Sequence, residues 1–249
     1  MLVKMRDVLT RLLTPHNTLN PLLFDEKNKL HAKANQLLYR QVNYINSLIV
    51  AEIKGLKFYD AYLTGSMASY FYHEKSDIDI RIVVKNEGCP ELADNSKFLS
   101  QFLQFYFFGS LNNQKFKFGN KKVNIQFSSD KPETLPLGLY SIMQNKWIIE
   151  PQKNITANLN ADEVFAQYEQ KYNEIEAYLL QAYNSGALNT MNGIKKLDEL
   201  YNSLSANRNN GITDFIIFKM LNYRGMLDYI TNLKNRALSD FFSLDYPAK

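Results

Sequence analysis

Asp77 and Asp79 stand one residue apart in "SDIDIRIVVK", an apolar run whose period is two: Ile78, Ile80 and Ile82 face one way, Asp77, Asp79 and Arg81 the other. Side chains two apart on a strand lie about 6 to 7 Å apart at the backbone. Two carboxylates so placed repel each other unless a divalent metal or a basic neighbour compensates, and Arg81, two residues further along the same face, is one such neighbour. An isolated D-x-D of this kind is ordinarily a solvated strand face. What separates this one is Gly65-Ser66, which ends the strand "KFYDAYLTG" and opens a helical turn, with a spacer of ten residues before Asp77. There, backbone N–H groups, a hydroxyl and the positive end of a helical turn meet, the features that hold an anion such as phosphate. A phosphate cradle beside two carboxylates is suited to holding a nucleoside triphosphate through its magnesium.

The stretch "LTGSMASYFYHEKSDIDIRI" resembles the signature of the DNA polymerase beta-like nucleotidyltransferase superfamily: an apolar residue, Gly, Gly or Ser, a spacer of about ten, then acid, apolar residue, acid. Leu63, Gly65, Ser66, Asp77, Ile78 and Asp79 match it, with Thr64 intervening after Leu63. The match covers about twenty residues, and the order of elements around it agrees with the superfamily's core, as does a helical domain after the catalytic one. The resemblance implies transfer of a nucleoside monophosphate from an NTP to a hydroxyl. It also implies Gly65 and Ser66 on the triphosphate, and Asp77 and Asp79 on Mg2+ (or Mn2+) ions.

A third acid usually stands on a later strand in that superfamily. Here the expected strand is "KKVNIQFSSD", whose polar-face positions are Lys122, Asn124, Gln126, Ser128 and, if the parity holds, Asp130. An amide at Asn124 can ligate magnesium but adds no negative charge and accepts no proton as a base. Asn124 is the expected third ligand, with Asp130 and Glu133 as alternatives if the strand bends. Binding should then survive better than turnover, which leaves open a second class of function: a catalytically degenerate relative that binds nucleotide or a protein partner and regulates. A plain protein–protein module with a solvated D-x-D is the third.

The elements that must position these residues follow from pattern. From Asp25, a candidate N-cap, to about Ile53 the apolar residues recur at three- and four-residue intervals, a long helix that Gly55 ends. Strand, short turn from Ser66 to about Tyr72, and D-x-D strand follow. Then come a helix over "ELADNSKFLSQFLQFYFFGS" and a hairpin that turns at Gly119-Asn120. Pro132, Pro136 and Pro151 mark a change of regime, with Trp147 packed in the joint between. Beyond Ala161 three helices are expected, over 161–186, 187–205 and 212–238. The fold class is α+β: a small mixed-sheet domain with flanking helices over 1–150, then an all-α helical bundle over 151–249, with a nucleotide cleft between them.

The 249 residues, 45% hydrophobic and 22% charged, suffice for two modest cores. A single cysteine, Cys89, excludes an intramolecular disulfide and a cysteine-based zinc cluster and fits a reducing compartment, so the expected location is cytoplasmic. "MLVKMRDVLTRLLTPHN" carries charges inside its apolar stretch and does not read as a secretory signal. No run approaches the ~18 apolar residues of a membrane span, so no membrane partner is expected. The net charge of +4 suits a polyanion but does not choose among acceptors, which range from small molecules to RNA and protein. His16, His31 and His73 lack metal-ligand spacing. Lys195, Lys196, Lys219 and Arg224 read as solvated helix faces, Tyr201 and Tyr223 as core or as base-stacking residues.

Overall fold

The computed structural model describes residues 2–52, 55–74, 76–86, 99–104, 106, 116–128, 137–208 and 210–242. The chain divides into two compact units, one made of residues up to Thr14 together with those from Ile155 on, the other of Pro15–Asn154. The first helix falls in the same unit as the later helices, and the sheet unit ends at Asn154.

In the sheet unit, helix α2 (Ala32–Glu52) leads into β1 (Leu56–Thr64), a single 3-10 turn (Ser66–Ala68) and β2 (Ile78–Asn86). Helix α3 covers 99–104. The hairpin strands β3 (Lys117–Phe118) and β4 (Lys121–Ser128) and a second hairpin, β5 (Leu139–Ser141) with β6 (Lys146–Ile149), complete a six-stranded sheet of order β3-β4-β2-β1-β5-β6. All neighbours are antiparallel except β2 and β4, which run parallel because the chain crosses through α3 between them. The joint around Trp147 is thus an edge hairpin, and the tryptophan stacks on Phe24 and donates its indole N–H to the Asn28 carbonyl at 2.7 Å.

Period two explains the core. Ile78, Ile80 and Ile82 of β2 and Val123, Ile125 and Phe127 of β4 are buried on one face under Leu38, Val42 and Ile45 of α2 and Leu99 and Leu103 of α3. The opposite face carries the polar residues of β2 and β4 together with a small buried apolar cluster of Tyr62, Val83 and Leu139. The expected helix start at Asp25 is corrected: Asp25 Oδ1 accepts the backbone N–H of Lys27 and of Lys29, which fixes a tight turn closed by the Phe24–Leu30 bridge, and the helix begins at Ala32. These bonds favour the carboxylate, so the acidity of Asp25 is raised and its pKa lowered, the Lys29 N–H contributing most.

The helical unit contains α1 (Leu2–Leu13), α4 (Ala161–Asn184), α5 (Met191–Asn207), α6 (Ile212–Tyr223) and α7 (Met226–Phe242). Asn160 caps α4 by accepting the N–H of Asp162 at 3.0 Å, and Thr190 caps α5. The single helix expected over 212–238 is two, because Gly225 takes φ +83° and breaks the ladder after Tyr223. Arg224 there lies over the Tyr172 ring and donates to the Tyr168 hydroxyl at 3.2 Å, while Lys195 pairs with Glu199 and Lys219 covers Phe215. Among the described residues no helix is long and apolar enough to cross a membrane.

Candidate functional site

The site is built where β1, β2 and β4 present their polar face. β1 and β2 pair so that Thr64 stands opposite Asp79, and β2 and β4 pair so that Asp79 stands beside Asn124. Asp77 immediately precedes β2, on the same side as Asp79 by the parity of the strand. The Asn124 side-chain amide donates to Asp77 Oδ2 and to Asp79 Oδ1, 3.3 Å each. One neutral NH2 group thus lies between two half-buried carboxylates and offsets part of their repulsion.

Gly65 closes the floor. Its φ is +74°, and a Cβ at that position would lie 2.5 Å from Asp79 Oδ2. A side chain there is strained by the backbone conformation and would push aside the carboxylate that packs on the glycine. Gly65→Ala is expected to push the Asp79 carboxylate aside and to strain the backbone by about 1 to 3 kcal/mol, lowering the thermal midpoint. An unchanged midpoint would mean that the turn relaxes around the added methyl.

Ser66 opens the 3-10 turn and is buried; its hydroxyl donates to Ser76 Oγ at 2.9 Å. Ser76 Oγ in turn accepts the His73 N–H at 3.1 Å, so the two serines tie the ends of the motif's spacer together. Gly138, at φ +120°, lets β5 approach this turn: a Cβ there would lie 2.2 Å from the Ala68 carbonyl oxygen. His16 stacks on Tyr72 at 4.0 Å and bonds to its carbonyl, which holds the spacer rather than a ligand. His31 bonds to the Pro21 carbonyl.

Two carboxylates and an amide oxygen are a hard-oxygen donor set of the kind Mg2+ takes, with phosphate oxygens and waters filling the rest of its shell. Asp77 and Asp79 fit such an ion. Asn124 fits as well once its amide is turned over to present oxygen instead of NH2. Among the described residues no group of three or more His, Cys, Asp or Glu comes together as a metal centre. Asp130 and Glu133, the alternatives for a third acid, lie outside the described residues, as do Lys75 and Cys89.

Comparison with protein-family models, curated proteins and solved structures finds no match.

One acidic residue escaped the sequence reading. Asp60 on β1 is 1% exposed. It accepts the Ser141 hydroxyl at 2.9 Å on both oxygens, Gln144 Nε2 at 3.0 Å and the Ala61 N–H at 2.7 Å. A register shift between Phe58 and Asp60 turns it inward, so simple alternation does not reveal it. Beside it the Tyr62 hydroxyl is pushed up to about 12, by burial first and by the Asp60 carboxylate second. An unfolded tyrosine titrates near ~10. Between those values the folded chain holds a proton that the unfolded chain has released, so this contribution to stability is complete below the lower value and lost as pH rises through the upper. Urea midpoints measured through this window should fall less steeply for Tyr62→Phe than for wild type; equal slopes would refute the assignment.

Proposed function

We propose that this chain binds a nucleoside triphosphate through a divalent metal and transfers its nucleoside monophosphate to a hydroxyl acceptor. The observation that carries the reading is the convergence of Asp77, Asp79 and Asn124 on one spot, with the Gly65 backbone against the Asp79 carboxylate. Such a site offers two carboxylates to a cation that a triphosphate could share, and Gly65 leaves the Asp79 carboxylate the room to reach it.

In the reaction, the acceptor oxygen forms a bond to the α-phosphorus as the bond from that phosphorus to the bridging oxygen breaks. Pyrophosphate leaves, and the hydroxyl proton passes to solvent. A bound metal supplies charge neutralisation of the triphosphate and polarisation of the transferred group. Asp77 and Asp79 hold that charge in place, and the Gly65-Ser66 turn positions the phosphates. Asn124 can orient a ligand but takes no proton, which predicts slow turnover relative to binding.

The position of the Asn124 NH2 group favours one second reading, a nucleotide-binding regulator that does not turn over. The two are separated by incubation with labelled NTPs and Mg2+ or Mn2+ against small hydroxyl compounds, RNA and protein, comparing wild type with Asp77→Asn/Asp79→Asn. Transfer by wild type alone supports the enzyme; metal-dependent binding without transfer supports the regulator. Equal label transfer by both proteins would sink the first proposal.

A further inference from the structure

The helical unit carries a cleft of its own. On α4 the side chains of Tyr172, Glu176, Leu179, Leu180 and Tyr183 recur at three- and four-residue intervals and form one stripe along the helix. Facing it are Arg224, at the end of α6, with Met226 and Tyr229 of α7. Between the two walls lies an open cleft of about 760 Å³, within the range of small-molecule sites. Leu179 and Met226 are buried, whereas Leu180, Tyr183 and Tyr229 are each more than half exposed. Three large side chains of that kind around one concavity make an apolar rim of the sort that marks a binding site.

Two opposite charges line the same cleft. The Arg224 guanidinium lies 3.4 Å from the centre of the Tyr172 ring and donates to the Tyr168 hydroxyl at 3.2 Å, while its Nε is buried with no hydrogen-bond partner. Burial holds the Tyr168 hydroxyl above the ordinary tyrosine pKa, so it is a neutral acceptor and no counter-ion. Glu176 accepts the Tyr172 hydroxyl at 3.0 Å. Among the described residues neither Arg224 nor Glu176 has an ion-pair partner. Because both touch Tyr172, the two charges lie within about 10 Å of each other without meeting. A half-buried guanidinium held only by rings and a phenol is under-compensated, and an anion in the cleft relieves it.

From this layout we infer that the cleft binds a free α-amino acid with a large apolar side chain, its carboxylate at Arg224, its ammonium at Glu176 and its side chain against the apolar rim. The inference is independent of the nucleotidyl-transfer reading of the Asp77/Asp79 site. The planar fork of an arginine matches a carboxylate. In an α-amino acid one carbon separates the two charged groups, and with a charge-assisted hydrogen bond at each end the whole spans about 8 Å, which suits the gap between Arg224 and Glu176. A simple anion leaves Glu176 unanswered, and a simple amine leaves Arg224 so. A peptide brings its N-terminal ammonium but carries its carboxylate elsewhere.

The test is calorimetry on the full chain with four probes: L-phenylalanine, L-alanine, 3-phenylpropionate, which lacks the ammonium, and L-phenylalaninamide, which lacks the carboxylate as a peptide N-terminus does. L-Phenylalanine is expected to bind with a Kd of about 1 mM or tighter, and each of the other three about tenfold or more weakly, the size of one charge-assisted contact or of a lost apolar side chain. Glu176 is exposed, so Glu176→Gln keeps the fold. It should weaken L-phenylalanine about tenfold and leave 3-phenylpropionate unchanged. Arg224→Gln, checked by its thermal midpoint, should weaken L-phenylalanine and 3-phenylpropionate alike and spare L-phenylalaninamide. Should Arg224→Gln fail to fold, the Glu176→Gln comparison decides alone. No binding of L-phenylalanine, equal binding of either analogue that lacks a charge, or an affinity that ignores Glu176→Gln overturns the inference.

Discussion

Asp79→Asn is expected to lower metal-dependent label transfer by about a thousandfold while leaving the thermal midpoint of the metal-free protein unchanged or raised. The size follows from the several kcal/mol that an anchored metal contributes to phosphoryl transfer, with about 1.4 kcal/mol per factor of ten. The opposite sign for stability follows from electrostatics. Asp77 and Asp79 both accept from the Asn124 amide, and removing one charge relieves their mutual repulsion while the isosteric amide keeps the volume filled. A variant that loses transfer and also unfolds would make Asp79 a structural residue. One that keeps transfer would remove it from the site. Measuring initial rates and melting curves on the same preparation separates these results.

Asn124→Asp is expected to act in the reverse direction on both quantities. A carboxylate at this position places a third negative charge against Asp77 and Asp79 and abolishes the two N–H donations at 3.3 Å. Without metal the cost is about 2 to 4 kcal/mol, combining lost hydrogen bonds to charged acceptors with like-charge repulsion at short range. The thermal midpoint should fall by about 5 °C or more. With Mg2+ present the same carboxylate becomes a ligand, so saturating metal should restore the midpoint through mass action. Transfer should rise by about tenfold or more, as a charged ligand strengthens the metal that the acceptor oxygen approaches. A variant whose stability ignores Mg2+, or whose rate stays at the wild-type level while nucleotide still binds, would show that position 124 is not part of the metal shell.

Much of this arrangement was legible because its parts are local. Gly65, Asp77 and Asp79 lie within fifteen residues, and the period-two pattern of β2 assigns the acids to one face from the sequence alone. The face of Asn124 was equally legible. Its rank was not, since the lateral partner of Asp79 depends on the parallel register of β2 with β4, set by packing under α2 and α3. Gln126 and Asn124 are equivalent by alternation, and only the register places one beside Asp79 and the other beside Arg81. β5 and β6 escaped because three and four residues are too few to display a period. Asp60 escaped because the bulge in β1 shifts its parity. The break at Gly225 was missed because the apolar spacing continues across it from Leu221 to Met226 and Ile230.

The central claim is that Asp77 and Asp79 hold nucleotide through a divalent metal. Titrating a non-hydrolysable NTP analogue into the protein by calorimetry, with Mg2+ and then with chelator, tests it without reference to any acceptor. Binding that requires Mg2+ and disappears in Asp77→Asn/Asp79→Asn is the predicted result. Binding that is absent, or that is the same with and without metal, would contradict it.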